Sequence, residues 1–184
     1  LEFSTMITAS LASMMMAEQG ARVIKVEPYE MGDPMRYLGA KKADVSALFA
    51  NCNRGKEALR IDLKSEEGQA VIRSMIADVD VVCETLLNWQ LKLGLSDRCM
   101  RLGVPLIHSG IVGHRYQCYS IMPGKSACLR CALPKAGIED FPLGPTSVHP
   151  LIAVEAWAGS VMAIDVLKIV ADLGVLQTNT LWRL

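Results

Sequence analysis

Two cysteines in the chain are spaced as a chemical unit. Cys128 and Cys131 form a Cys-x-x-Cys pair in "PGKSACLRC", within a stretch that is rich in turn residues. Two thiolates on one turn supply half of the tetrahedral ligand set that zinc takes in structural sites. The pair therefore predicts one of three arrangements: a reduced pair without metal, a four-thiolate zinc site shared by two copies of the chain, or a zinc site completed by His149 or Cys118.

Four residues in two predicted loops have side chains that suit phosphate groups. Arg36 lies in a loop with Gly and Pro after a predicted strand, and Asn53, Arg54 and Lys56 lie in a loop just before another strand. Guanidinium and ammonium groups bind phosphates, and loops at sheet edges commonly carry ligands. The alternative is that these are solvated loop cations, which is the usual state of such residues.

Two histidines flank "SGIVG" near the carboxyl end of a predicted strand. They are His108 and His114, and this is the edge at which open α/β sheets bind ligands. No carboxylate, Ser or Cys stands at a recognisable catalytic spacing from either of them. We therefore expect both histidines to have structural roles.

The elements that must position these residues alternate between strand and helix. Helical spacing over Ile7, Leu11, Met14 and Met15 predicts a first helix that ends at Gly20. Strands are predicted for "RVIKVEP", "ALRIDL", "DVVCET", "PLIHSGIV" and "YQCYSIMP", with a further short strand in "TNTLWRL". Ser65 is placed to cap a helix, residues 86–102 form another that breaks near Gly94, and a long helix spans about residues 150–173.

This alternation predicts a Rossmann-like three-layer α/β sandwich with a mainly parallel sheet, as one domain over residues 1–184. The chain holds 19 basic and 19 acidic residues, so no field of one sign argues for nucleic acid or an anionic membrane as a partner. The charges in the long helix near the carboxyl end argue against a membrane span. Six cysteines without a secretory signal predict reduced thiols and a cytoplasmic location.

Residues 5–96 resemble the N-terminal part of the family III CoA-transferases, the group of formyl-CoA transferase and α-methylacyl-CoA racemase. The resemblance is carried by "MMMAEQGARVIKVEP", "GDPMR", "NRGKEALRIDLKSEEGQAVI" and "ADVDVVCETL", in order and spacing. It implies that Arg36, Asn53, Arg54 and Lys56 hold the ADP end of CoA. The family's first strand is expected to be missing, its nucleophilic aspartate lies beyond the resemblance, and its Asn-Phe-Arg-Pro-Gly is replaced by "TLLNW" at residues 85–89.

Residues from about Arg98 onward resemble the later part of the ThiF/MoeB/HesA adenylating enzymes, which are relatives of the ubiquitin-activating enzyme. The most specific piece is "PGKSACLRC", and "LGPTSVHPLIAVEAWAGSVMAIDVLKIVADLG" continues the likeness. The resemblance implies zinc at Cys128 and Cys131 and a ubiquitin-like carrier protein as partner. No G-x-G-x-x-G nucleotide loop occurs in the chain, so ATP-dependent adenylation is not expected.

The two resemblances together predict a chimeric α/β protein with a junction between Leu95 and Arg101. Residues 1–97 are its CoA-transferase-like half and residues 98–184 its ThiF-like half, with no intact catalytic site and a structural role. Loss of a central first strand would expose backbone donors and apolar faces, so we expect a homodimer that covers them. The alternatives are a CoA-binding transferase-like protein and a ThiF-like module that binds other proteins.

Overall fold

The computed structural model describes residues 1–112, 115–133 and 152–183. His114 and His149 lie outside these residues. The strands are β1 (Glu2–Phe3), β2 (Ile24–Pro28), β3 (Lys41–Lys42), β4 (Val45–Ser46), β5 (Glu57–Ile61), β6 (Val82–Glu84), β7 (Leu106–Val112), β8 (Arg115–Ile121) and β9 (Trp182–Arg183). The helices are α1 (Ile7–Glu18), α2 (Ala47–Asn53), α3 (Glu66–Ala77), α4 (Trp89–Leu102), α5 (Leu129–Ala132) and α6 (Ile152–Val170).

Seven of the described strands form one sheet in the order β5-β2-β1-β6-β7-β8-β9. The first five of these are parallel, whereas β8 runs antiparallel to both β7 and β9. The parallel strands are joined by crossover helices, which is the connection that parallel pairing requires. The remaining strands, β3 and β4, pair as a small separate hairpin.

Helices cover both faces of this sheet and give it two apolar cores. Neighbouring residues along a strand point to opposite faces, so Val82 packs on one side and Cys83 on the other. The first side is covered by α3, α4 and α5, and the second by α1 and α6. The chain is therefore a Rossmann-like three-layer α/β sandwich with a mostly parallel sheet, as the sequence predicts.

A first strand is present at the centre of the sheet, contrary to the expectation from the sequence. Glu2 and Phe3 form β1, in which Glu2 lies opposite Lys25 of β2 and Cys83 of β6. A strand of two residues that begins with a charged side chain has no alternating pattern by which a sequence could reveal it. Because β1 fills the centre, the described sheet has no gap there for a second copy to cover, and the homodimer stays a prediction.

Two glycines show how closely the helices pack. The helix α4 runs through Gly94 without the predicted break, and a Cβ built at Gly94 would meet nothing within 4 Å. On α6, a Cβ built at Gly159 would lie 2.7 Å from the carbonyl oxygen of Thr8, so glycine allows α1 and α6 to approach closely. Among the described helices, none is both long and apolar enough to cross a membrane.

Candidate functional site

The strand order creates a topological switch point between β1 and β6. From β1 the chain crosses to β2 and β5 on one side, and it then returns past β1 to form β6 and β7 on the other. Connections therefore leave the carboxyl ends of β1 and β6 in opposite directions and open a crevice between them. Open α/β sheets bind their ligands in such crevices.

A groove of about 290 Å³ lies beside this point, between α3 and α4. Its floor comes from Phe3 in β1, and Leu63 and Leu86 just after β5 and β6 complete the end nearest the sheet. The walls are formed by Gln69, Ile72, Arg73 and Ile76 of α3 and by Gln90, Leu91, Gly94, Leu95 and Arg98 of α4. The groove therefore combines an apolar floor with polar and cationic groups, the usual composition of a small-molecule site.

Two arginines give the groove its charge. Arg73 of α3 and Arg98 of α4 both line it, and both are partly exposed. Within the described residues, neither guanidinium makes a hydrogen bond or an ion pair, whereas Arg22, Arg36 and Arg54 are paired with carboxylates. Five N–H donors on each guanidinium are thus available to an anionic ligand.

Arg36 is held by a carboxylate and an aromatic ring. Its Nε donates to Glu27 Oε2 at 2.8 Å, Nη2 donates to Oε1 of the same carboxylate, and the guanidinium lies 3.9 Å from the centre of the Phe49 ring. The side chain is 27 % exposed, so part of its surface remains open to solvent. The sequence predicts phosphate binding here, and the structure shows an arginine whose bidentate face is already used.

Lys56 belongs to a buried charge cluster that also contains Glu2, Lys25, Asp33 and Ser10. Lys56 Nζ lies 2.8 Å from Glu2 Oε2, and Lys25 Nζ lies 2.7 Å from Glu2 Oε1 and 2.8 Å from Asp33 Oδ2. Burial would raise the pKa of Glu2, but the two ammonium groups outweigh it and lower that pKa to about 2. Two carboxylates thus balance two ammonium groups in the interior.

The other two loop residues are also engaged inside the protein. Asn53 donates to the carbonyl of Phe49 at 3.1 Å and accepts from Lys56 at 3.0 Å. Arg54 pairs with Glu18 and donates to Asn51 Oδ1 at 2.9 Å. Arg36 and Asn53 both contact Phe49 of α2, Arg36 through the aromatic ring and Asn53 through the backbone carbonyl. The structure thus brings Asn53 and Lys56 together and places Arg36 against the same helix, α2, with Glu27 as its own carboxylate partner.

His108 lies in a second buried cluster, which the sequence did not predict. Strand register places His108 of β7 opposite Glu84 of β6, and its Nδ1 bonds to the Glu84 carboxylate. Gln117 Nε2 lies 3.2 Å from the other ring nitrogen, and Lys92 Nζ lies 3.2 Å from Glu84 Oε2. Burial and the charge of Lys92 lower the pKa of His108 below its ordinary value.

This second cluster has no access to solvent in the described structure. Glu84 and His108 are fully buried, and Lys92 also donates to the backbone carbonyl of Ser109 at 3.0 Å. Both ring nitrogens of His108 are bonded to buried protein groups, which favours the structural role that the sequence predicts. The carboxylate partner, however, comes from a neighbouring strand, and no spacing along the chain could reveal it.

Cys128 and Cys131 lie at the start of the short helix α5, on the side of the sheet covered by α4. Their sulfurs are 3.7 Å apart, and Cys131 is exposed. Contact with Cys128 raises the pKa of the Cys131 thiol above its ordinary value. Within the described residues, no third His, Cys, Asp or Glu joins them to form a metal-binding group. Cys118, a ligand considered from the sequence, is buried in the opposite core beside Ser109.

Sequence reasoning missed Arg73 and Arg98 as candidate ligand-binding residues. Arg73 follows the buried Ile72 on α3, and Arg98 precedes the buried Cys99 on α4, so each stands at the edge of an apolar helix face. Arginine at such a position ordinarily covers the core with its stem. Only the arrangement of the two helices shows that both guanidinium groups border the same groove.

Comparisons of sequence identify relatives of the first part of the chain. The family model of CoA-transferase family III matches residues 1–112. Succinyl-CoA–D-citramalate CoA-transferase of Chloroflexus aurantiacus is 36 % identical over 97 residues, which cover 50 % of this chain and 24 % of that protein. Succinate–glutarate CoA-transferase of Agrobacterium fabrum is 36 % identical over 122 residues, covering 61 % and 30 %. The chain thus spans less than a third of the length of these relatives.

Comparisons of structure extend over the whole chain. Crystal structures of E. coli MccB match it, the one with succinimide having a TM-score of 0.68 at 15 % identity and covering 100 % of this chain and 59 % of MccB. A hypothetical protein from Mycobacterium tuberculosis matches with a TM-score of 0.60 at 24 % identity, covering 90 % and 47 %. At these identities the likeness establishes the fold alone.

Proposed function

Because the chain belongs to CoA-transferase family III, we propose that it binds CoA in the groove between α3 and α4. The observation that carries the proposal is the pair of arginines, Arg73 and Arg98, that border this groove without a carboxylate partner in the described structure. The relatives named above are CoA-transferases, and the family match over residues 1–112 covers the groove-forming elements. The proposal concerns binding by this chain and not the transfer reaction.

The chemistry of the groove matches the nucleotide end of CoA. The adenine ring is flat and largely apolar on its faces, and it suits a floor made by Phe3 and Leu63. The phosphates of CoA carry several negative charges, and guanidinium groups bind phosphate oxygens in pairs. The position next to the switch point between β1 and β6 is where an α/β sheet of this order accepts a nucleotide.

The four loop residues predicted from the sequence enter this proposal in two ways. Lys56 and Asn53 are buried and hold the chain near Glu2, so we expect them to support the site through folding. Arg36 and Arg54 keep exposed guanidinium surface and are the candidates for a second phosphate contact. Their carboxylate partners already satisfy much of their hydrogen bonding, so we expect each to add less to the affinity than Arg98.

The test is a calorimetric titration of the purified chain with CoA, compared with adenosine 3′,5′-bisphosphate and with pantetheine. We expect heat from CoA and from the bisphosphate, but none from pantetheine, because the arginines recognise the phosphates. Arg98→Gln should weaken CoA binding by about 10-fold, the effect of one lost hydrogen-bonded charge contact. Arg101→Gln is the matched control, since it removes the same charge from α4 outside the groove.

Two results would overturn the proposal. One is an absence of heat at millimolar CoA with folded protein. The other is an equal loss of affinity in Arg98→Gln and Arg101→Gln, which would show that net charge alone attracts the nucleotide. Arg73→Gln, on the facing helix, repeats the comparison from the other wall of the groove.

A composite origin of the chain is a second proposal, favoured by one observation. The CoA-transferase family match ends at residue 112, past the junction predicted between Leu95 and Arg101, whereas the fold likeness to MccB continues through α6 and β9. We propose that the later residues derive from a ThiF-like protein and act as a structural support for the sheet. Sequencing across the genomic locus tests this, and one natural reading frame whose homologues span both parts would contradict it. Capture of a ubiquitin-like carrier protein would instead favour the protein-binding module.

A further inference from the structure

The Cys-x-x-Cys pair stands apart from the other thiols of the protein. The other four cysteines, Cys52, Cys83, Cys99 and Cys118, are all buried. Cys131 is exposed, Cys128 is partly exposed, and their sulfurs are 3.7 Å apart. A disulfide needs a sulfur separation of about 2.05 Å, and side-chain rotation on one turn of chain can provide that approach.

The turn that carries the pair is fixed to α4 by the two residues between the cysteines. Leu129 is fully buried, and its backbone N–H donates to Ser96 Oγ at 3.3 Å. Arg130 Nε donates to the carboxylate of Asp97 at 2.9 Å. The backbone N–H of Cys131 also donates to the carbonyl of Cys128 at 3.1 Å, which closes the turn. These contacts hold the two thiols on the same side while they remain accessible.

The described residues do not fit a zinc site at this position. Zinc in a structural site takes four ligands, and the described part of the chain supplies only these two sulfurs. Two neighbouring, accessible thiols without further ligands are the groups that take part in thiol–disulfide exchange.

We propose that Cys128 and Cys131 form a reversible intramolecular disulfide, with a low-molecular-weight disulfide as the oxidant. The thiolate of one cysteine attacks a sulfur of the small disulfide, forms a mixed disulfide and releases one small thiolate. The thiolate of the second cysteine then attacks the protein sulfur of the mixed disulfide, forms the Cys128–Cys131 bond and releases the other small thiolate. The two protons of the protein thiols go to the two released thiolates, so the protein is oxidised by two electrons and the small disulfide is reduced.

Oxidised glutathione applied to the full chain tests this proposal. Thiols accessible in the folded protein are counted by a chromogenic reagent, and the products are identified by intact mass. We expect the reduced chain to show two accessible thiols and the oxidised chain to show none, with a mass lower by two hydrogens and no retained glutathione. Addition of dithiothreitol should restore both thiols.

The single variants Cys128→Ser and Cys131→Ser form a matched pair. Each retains one accessible thiol and lacks the resolving partner, so we expect each to keep one glutathione as a stable mixed disulfide. Wild-type chain that keeps both thiols free, or that retains glutathione as the variants do, would overturn the proposal. Chain purified without chelator whose two thiols are unreactive because they hold zinc would also overturn it.

Discussion

Glu155 is a buried carboxyl group on α6 without a compensating charge in the described structure. It is 4 % exposed, and it makes no hydrogen bond or ion pair within the described residues. The hydroxyl of Tyr116, another buried group, also has no partner there. Burial raises the pKa of Glu155 from 4.5 to about 7. Ionisation of this side chain must therefore cost folding free energy.

The raised pKa of Glu155 gives both the size of the free-energy cost of ionisation and the pH range in which it acts. The rise of the Glu155 pKa from 4.5 to about 7 corresponds to about 3 kcal/mol between the two protonation states. The native state holds the proton more tightly than the unfolded state does. The stability that depends on protonated Glu155 is therefore complete below pH 4.5 and is lost as the pH rises through about 7.

Glu155→Gln is the perturbation that isolates this effect. The amide has the shape and polarity of the protonated carboxyl group but does not ionise, so the variant and the wild type should be nearly equally stable at pH 5. At pH 8.5 the variant should be more stable by up to about 3 kcal/mol, measured by urea denaturation at both pH values. Asp165→Asn on the same helix is the control, because Asp165 is buried but accepts from Ser120 at 2.6 Å and pairs with Lys168. That variant should be destabilised at pH 8.5.

Equal free-energy differences between Glu155→Gln and the wild type at pH 5 and at pH 8.5 would contradict this prediction. Such a result would mean that the native state solvates the carboxylate as well as the unfolded chain does. A variant less stable at pH 8.5 than at pH 5, relative to wild type, would show that the ionised carboxylate has a partner.

Two further predictions concern packing and the buried charges near the sheet centre. Gly159→Ala places a Cβ 2.7 Å from the carbonyl of Thr8 and should lower the free energy of unfolding by about 1–3 kcal/mol in urea titrations. Gly94→Ala, also within a helix, meets nothing within 4 Å and should raise it by about 0.5–1 kcal/mol, and equal effects of the two would contradict the close approach of α1 and α6. Glu2→Gln leaves the Lys25 and Lys56 ammonium groups with one carboxylate too few, and we expect the free energy of unfolding to fall by about 3–5 kcal/mol at pH 7. Since the pKa of Glu2 is lowered from 4.5 to about 2, its stabilisation disappears as the pH falls through that range, and thermal unfolding at pH 2 should no longer distinguish the variant from wild type.

The order and type of the main elements could be predicted from the sequence, because local patterns report them. Ser65 caps α3 by accepting from the backbone N–H of Gly68, as its position before Glu66 and Glu67 indicates. Apolar runs separated by turn residues placed β2, β5, β6, β7 and β8 correctly. The strand β1 was missed because two residues that include a buried glutamate have no period to detect.

Helical periodicity identified α1 but only part of its buried surface. Ile7 and Met14 are buried as predicted, whereas Leu11 and Met15 are only half-buried. Ser10 and Ser13 are buried instead, because their hydroxyls donate to Glu2 Oε1 and Oε2. A hydropathy scale ranks these serines as polar because it takes no account of hydrogen-bond partners. The partner that allows them to be buried, Glu2, lies on a different element.

The sequence by itself determined that the chain is an α/β protein with family III CoA-transferase motifs, because motif order and strand–helix alternation are properties of neighbouring residues. Only the tertiary structure decided which charges are free and which are paired. It joined Lys56 to Glu2 across 54 positions of the chain, placed Glu84 opposite His108, and left Arg73 and Arg98 beside one groove. The physical reason is that strand register and helix packing set these partnerships, and both depend on contacts between residues far apart in sequence.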